Sequence, residues 1–216
     1  MNHLKTLALS TLVAGALLAQ QQSAAAQVVL GAKLGATFSN IDQDPDAFDT
    51  NSLTSFGGGA FLRFGIGGLS LQTELLAVTK GTKLGDPNPD QDLKVKLDYI
   101  EVPLLLRVGM SSGTGFMPYV MAGPSVGFEI GCELDVEDSD LEEDCDTAGV
   151  GFFERAKTDF GLTGILGFEL PMGPGNILLE GRYTLGLTDL NKEGDSKSRN
   201  RMFGVFAGYA VPLGSR

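Results

Sequence analysis

The chain has 216 residues, with 27 acidic and 16 basic side chains, a formal charge of −11 and a single histidine. So acidic a balance repels nucleic acid and anionic surfaces, so no nucleic-acid partner is expected. The lone imidazole, His3, lies in a leader-like segment, which denies the rest of the chain His-based triads and His-ligated metal sites.

At the N-terminus, Lys5 precedes a mostly apolar stretch from Leu7 to Ala19, and Ala24-Ala25-Ala26 offers an A-x-A cleavage site before Gln27. These features predict a cleaved signal peptide over 1–26 and one mature domain over 27–216. The apolar stretch falls short of the roughly 20 residues that a spanning helix needs. Gln27, not Cys, follows the site, so nothing suggests a lipoprotein.

Eight segments then alternate apolar with polar or glycine residues, near 28–38, 54–65, 69–79, 95–109, 118–130, 158–170, 177–190 and 201–213. The fourth is the clearest. Ile100, Val102, Leu104, Leu106 and Val108 share one face, opposite Tyr99, Glu101 and Arg107. The sixth sets Phe160, Leu162, Leu166 and Phe168 against Asp159, Thr163 and Glu169, and the seventh sets Ile177, Leu179, Tyr183 and Leu185 against Glu180, Arg182 and Thr184.

Connections over 39–53, 80–94, 131–157 and 191–200 are long and polar, whereas those over 66–68, 110–117 and 171–176 are shorter. Long and short alternate throughout. The pattern predicts an all-β fold, an eight-stranded antiparallel up-and-down transmembrane β-barrel in a bacterial outer membrane, with the long loops outside the cell. Outer-membrane lipid is its first expected partner. Phe38, Phe56, Phe128, Phe160 and Phe203 are expected in one interfacial girdle, with Phe64, Phe168 and Tyr209 in the other.

A soluble ligand-binding calyx would keep its charges outside and its apolar face inside. Here the face opposite the apolar stripe is crowded with glycine and charge, which suits a narrow lumen. We expect a lumen ion-pair network of Lys33, Arg63, Glu74, Glu101, Arg107, Glu129, Glu169, Glu180 and Arg182, because buried charges persist when paired.

Catalytic and cofactor motifs fail on context. Gly123-Pro124-Ser125-Val126-Gly127 matches a nucleophile-elbow pattern, but strand pattern continues on both sides and no histidine remains as base. Gly57-Gly58-Gly59 and the Gly161, Gly164, Gly167 series lack a following Gly-Lys-Ser/Thr and read as space-saving glycine. No catalytic residue, metal centre or cofactor is expected. Cys132 and Cys145 flank the acidic stretch 133–144 and, in an exported chain, are expected to form a disulfide. Asp138, Asp140 and Glu142 lack the glycine and terminal glutamate of a specific calcium loop, leaving loose divalent-cation binding as the alternative to a solvated loop.

Gly31-Ala32-Lys33-Leu34-Gly35-Ala36-Thr37-Phe38-Ser39-Asn40, Tyr99-Ile100-Glu101-Val102-Pro103-Leu104-Leu105-Leu106, Pro118-Tyr119-Val120-Met121-Ala122-Gly123-Pro124 and Leu179-Glu180-Gly181-Arg182-Tyr183-Thr184-Leu185-Gly186-Leu187 together resemble the PorT-like outer-membrane β-barrel family of Bacteroidetes-type bacteria. The resemblance implies a small barrel of the kind commonly labelled porin-like, with no shared enzymatic activity or catalytic residues. The expected function is a non-enzymatic outer-membrane barrel whose loops serve structural or interaction roles, towards a protein partner or divalent cations. The alternatives are a narrow channel for small solutes and, as the resemblance implies for some relatives, an accessory of a protein-secretion apparatus.

Overall fold

The structure is a computed structural model, and it describes residues 27–44, 50–66, 68–84, 93–110, 115–136, 142–144, 157–188 and 197–214. The predicted signal peptide therefore lies outside the described residues. The strands are β1 (Gln27–Asp44), β2 (Thr50–Ile66), β3 (Leu69–Leu84), β4 (Leu93–Gly109), β5 (Met117–Val136), β6 (Glu142–Asp144), β7 (Thr158–Met172), β8 (Gly175–Gly186) and β9 (Lys197–Leu213). Eight of them pair antiparallel in the order β4-β3-β2-β1-β9-β8-β7-β5, and pairing of β4 with β5 closes the ring. Closure leaves no exposed sheet edge at membrane depth, which lipid could not satisfy. The short β6 pairs only with the far end of β5, through Glu133 with Asp144 and Asp135 with Glu142.

Period-two patterning decides which face meets lipid. Leu34, Phe56, Ile130, Phe160 and Leu166 are all at least 60% exposed on the outer wall. Lys33, Glu74, Glu101, Glu180 and Arg182 are each 3% exposed or less on the inner wall. This inside-out distribution excludes the soluble calyx, since that many large apolar side chains would be turned to water. Phe38, Phe64, Phe128 and Phe203 are also exposed on the outer face, and Phe38 stacks on Phe203 at 6.3 Å between ring centroids.

The strands run further than their alternation suggests. A tilted strand crosses the hydrocarbon in about 9–11 residues, yet β5 has 20 and β1 has 18. Much of the connections read as 39–53, 80–94 and 131–157 is therefore strand: β1 continues to Asp44, β2 starts at Thr50, β3 reaches Leu84, β4 starts at Leu93 and β5 reaches Val136. Beyond the lipid an antiparallel ladder needs no apolar face, so the alternation fades while the hydrogen bonds continue. β8 departs the other way, ending at Gly186 instead of 190.

Pro103 sits buried inside β4. It has no N–H to give, and the ladder to β3 skips there, Thr73–Leu104 being followed by Leu76–Glu101; the ladder to β5 skips where the register sets Pro124, which also lacks an N–H, opposite Leu104, Pro103–Ser125 being followed by Leu106–Ala122. The register is kept across both gaps, held by the pairs on either side.

Candidate functional site

The site is the lumen, a three-dimensional ion-pair core contributed by nearly every strand. At its centre, Glu74 on β3 accepts Lys33 Nζ at 2.8 Å on Oε1 and Arg182 Nη1 at 2.6 Å on Oε2. Gln72 Nε2 also donates to Glu74 Oε1, at 2.7 Å. Lys33 Nζ makes a second, short contact to Glu180 Oε1, whose other oxygen accepts the Tyr119 hydroxyl at 3.0 Å. Towards the turn end, Arg63 donates through Nη2 to Glu169 at 2.6 Å and through Nε to Gln72 at 2.9 Å, and Arg107 reaches the same Glu169 oxygen at 3.3 Å.

A second cluster lies nearer the loop end. Lys80 Nζ is 2.6 Å from Glu101 and 3.3 Å from Asp159, and Asn200 Nδ2 donates to Asp159 at 3.1 Å. Five cations (Lys33, Arg63, Lys80, Arg107, Arg182) and five carboxylates (Glu74, Glu101, Asp159, Glu169, Glu180) are thus buried together, so the described core is neutral.

Aromatic rings carry the cations, and glycines make room for the rings. Lys33 Nζ lies 5.8 Å from the centroid of Phe61 and 5.7 Å from that of Phe206; Arg107 Cζ lies 4.3 Å above Tyr119, and Lys80 Nζ lies 4.8 Å above Tyr99. A Cβ on Gly31 would collide with the Phe61 ring, one on Gly204 would stand 2.7 Å from Phe206, and one on Gly167 would stand 2.6 Å from Tyr119. Only glycine leaves room for these rings to lie flat along the same or the adjacent strand. Apolar clusters separate the charged layers, with Leu76, Val78, Leu97, Tyr99, Cys132 and Met202 packed together in one of them.

Of the nine residues read as a lumen network, the structure brings Lys33, Arg63, Glu74, Arg107, Glu169, Glu180 and Arg182 into one connected cluster. Glu101 joins the other cluster, through Lys80. Glu129 lies half-buried at the irregularity where β5 shifts register against β4, opposite Tyr99. Sequence reading missed Lys80 as a lumen residue because Lys80-Gly81-Thr82-Lys83 looks like a loop. The clue was parity: Lys80 continues the inward series Gln72, Glu74, Leu76, Val78.

Ser125 is buried in mid-strand, opposite Pro103 and Gly161, with no helix after it. Gly161 and Gly167 are tightly surrounded, but Gly164 faces open space, so space-saving does not account for it. Among the described residues no group of three or more His, Cys, Asp or Glu could hold a metal ion. Cys132 is buried, while Cys145 and residues 137–141 of the acidic stretch lie outside the described residues.

At the turn end the barrel opens into a cavity of about 880 Å³ whose lining includes Arg63, Arg107 and Glu169 together with Met117, Pro171 and Pro212. Gly173, with φ of +63°, shapes the tight β7–β8 turn beside it.

The chain is similar to several solved outer-membrane proteins. Neisserial surface protein A is 16% identical, with 84% of this chain and 96% of that one covered and a TM-score of 0.46. Ail, the attachment invasion locus protein of Yersinia pestis, is 11% identical over 86% of this chain and 99% of its own, with a TM-score of 0.43. The outer membrane protease OmpT from Escherichia coli is 9% identical over 87% and 97%, with a TM-score of 0.48. No curated protein matches the sequence. The family model for the outer membrane protein beta-barrel domain matches residues 18–192, and with its ring of eight strands the chain belongs to that family.

Proposed function

We propose that this protein is a non-enzymatic barrel of the bacterial outer membrane, with a closed, ion-paired lumen and loops that make contacts outside the cell. The supporting observation is that two ion pairs join strands on opposite sides of the ring: Arg182 on β8 with Glu74 on β3, and Arg63 on β2 with Glu169 on β7. A continuous water path would wet these side chains. Instead Arg182, Glu74, Glu101, Phe206, Leu76 and Leu105 are all 2% exposed or less.

The non-enzymatic reading rests on chemistry. Beyond His3 the chain has no histidine, and the buried carboxylates among the described residues are engaged by cations, so none of them is poised as a base. The Tyr-Ile-Glu-Val-Pro-Leu and Pro-Tyr-x-x-x-Gly-Pro strands support a PorT-like member within the family.

The signal peptide over 1–26 delivers the chain across the inner membrane. In the oxidising compartment beyond it, Cys132 and Cys145 form a disulfide. Support comes from register: Glu133 pairs with Asp144, and the cysteines are the next residue outward in sequence on each side. The staple holds the β5–β6 hairpin above the membrane. Liposomes containing the purified protein should swell no faster in small sugars or amino acids than empty liposomes; solute-selective swelling would replace this reading with a channel.

A further inference from the structure

We propose that the turn-end cavity is a binding site for a small molecule bearing a carboxylate or phosphate group, with Arg107 as its principal ligand. This goes beyond the closed lumen and does not depend on it, because the cavity opens at the turn-end face of the charged core, away from the central Glu74 pairs.

The lower cluster is short of negative charge. Lys33 has two carboxylate partners and Arg182 holds an oxygen of Glu74 that Lys33 does not take, but Arg63 and Arg107 must share one and the same oxygen of Glu169. Arg63 holds that oxygen at 2.6 Å and Arg107 only at 3.3 Å, while the other Glu169 oxygen takes Asn176 Nδ2 at 3.3 Å. Among the described residues Glu169 is the only carboxylate in an ion pair with either arginine. The Arg107 side chain is itself buried, and its Nε has no hydrogen-bond partner. A guanidinium is never neutral at physiological pH and carries five donors in a planar fork that matches carboxylate and phosphate. Here that fork is left with one long bond.

Position and volume complete the case. Arg63, Arg107 and Glu169 all line the cavity, giving its charged lining a net excess of one cation. The remaining wall includes Val29, Met110, Met117, Pro171 and Pro212, which would cover the apolar body of an organic anion. At about 880 Å³ the cavity falls within the range that holds small molecules. Tyr119 lies beneath the Arg107 guanidinium at 4.3 Å, so the head is braced from one side. Gly109, two residues along β4 and paired with Tyr119, makes way: a Cβ there would stand 2.8 Å from Arg107 Nη1. Glycine at 109 therefore lets the guanidinium lie at the mouth.

The test is a titration of the full-length mature protein in detergent micelles, following arginine Nε–Hε signals by NMR at constant ionic strength, with inorganic phosphate and acetate as probes and chloride as the balancing ion. The expected result is a saturable shift of the Arg107 signal with phosphate, acetate or both, and no comparable shift at the exposed Arg199. The relative response to the two probes separates phosphate from carboxylate selectivity. Gly109→Ala pushes only the flexible end of Arg107 and should keep the barrel folded, while weakening binding about tenfold, as expected for loss of one charge-assisted bond. Arg107→Gln should abolish it in whatever fraction remains folded by gel mobility. Absence of any saturable shift, an equal shift at Arg199, or affinity unchanged in Gly109→Ala would overturn the proposal.

Discussion

Arg182 on β8 and Glu74 on β3 meet at 2.6 Å although four steps of the eight-strand ring separate their strands in either direction. The contact closes the lumen across its full width, and its ends are 108 positions apart in the chain. Such a pair cannot form until the barrel is complete, so it reports the finished fold rather than any hairpin within it.

Removing one partner strands a charge where water is scarce. Arg182→Ala or Glu74→Ala should each cost about 3–5 kcal/mol, whereas the exposed Arg199→Ala should stay within about 0.5 kcal/mol. The combined Arg182→Met, Glu74→Leu variant should be less destabilised than the single alanine variants added together, since no charge of the pair is left alone. Urea titration in micelles, read by heat-modifiable gel mobility, measures all of these. Additive losses in the double variant would mean the pair is not coupled.

Inner-wall glycines should be the least replaceable positions. A Cβ on Gly59 would collide with the Leu75 carbonyl, so Gly59→Ala should cost about 1–3 kcal/mol through a forced backbone shift. Gly164 has nothing within 4 Å, and Gly164→Ala should be neutral or stabilise by about 0.4–1 kcal/mol. Folding yields from denaturant into micelles should rank the two in that order.

The outward-facing half of this contrast was hidden in the sequence. Gly161, Gly164 and Gly167 look like one series, yet strand parity sends Gly164 to lipid and the other two to the lumen. Parity was readable wherever a strand carried both charge and aliphatic residues, as in β4, and it assigned Glu101 and Arg107 to the inner wall. At strand ends it was harder to see. Lys80 and its neighbours are polar on both faces because that part of β3 lies towards the loop end, so only the parity carried outward from Gln72, Glu74, Leu76 and Val78 puts Lys80 on the inner wall with Glu101 and Asp159. The lumen aromatics Phe61 and Phe206 were obscured differently: each sits at a parity otherwise held by glycine and charge, and only the paired register shows which glycine on a neighbouring strand receives which ring.

The disulfide should be present in protein taken from outer membranes. In the chain-entropy model a bridge closing roughly 15 residues contributes about 3 kcal/mol, here confined to the β5–β6 hairpin. Reduction should therefore raise protease sensitivity near residues 137–157 and leave the barrel's gel mobility unchanged. Alkylation of both cysteines before reductant is added would contradict the bridge.

Protease applied to whole cells should cut beyond the long strand ends, within 45–49, 85–92 or 137–156, and should spare the tight turns near 67–68 and 173–174. Mass spectrometry of the fragments reads the outcome directly. Cuts confined to the tight turns would mean that the opposite end of the barrel faces the outside.

The closed lumen is most directly tested by single-channel recording in planar bilayers, comparing the wild type with the Arg182→Ala, Glu74→Ala double variant. Wild type should give no reproducible conductance steps, because side chains from opposite walls meet in ion pairs at the centre. The double variant, with both members of the bridging pair cut back to Cβ, should show at most brief, irregular openings. Steady, ion-selective steps from wild type would contradict the closed lumen and make the protein a channel.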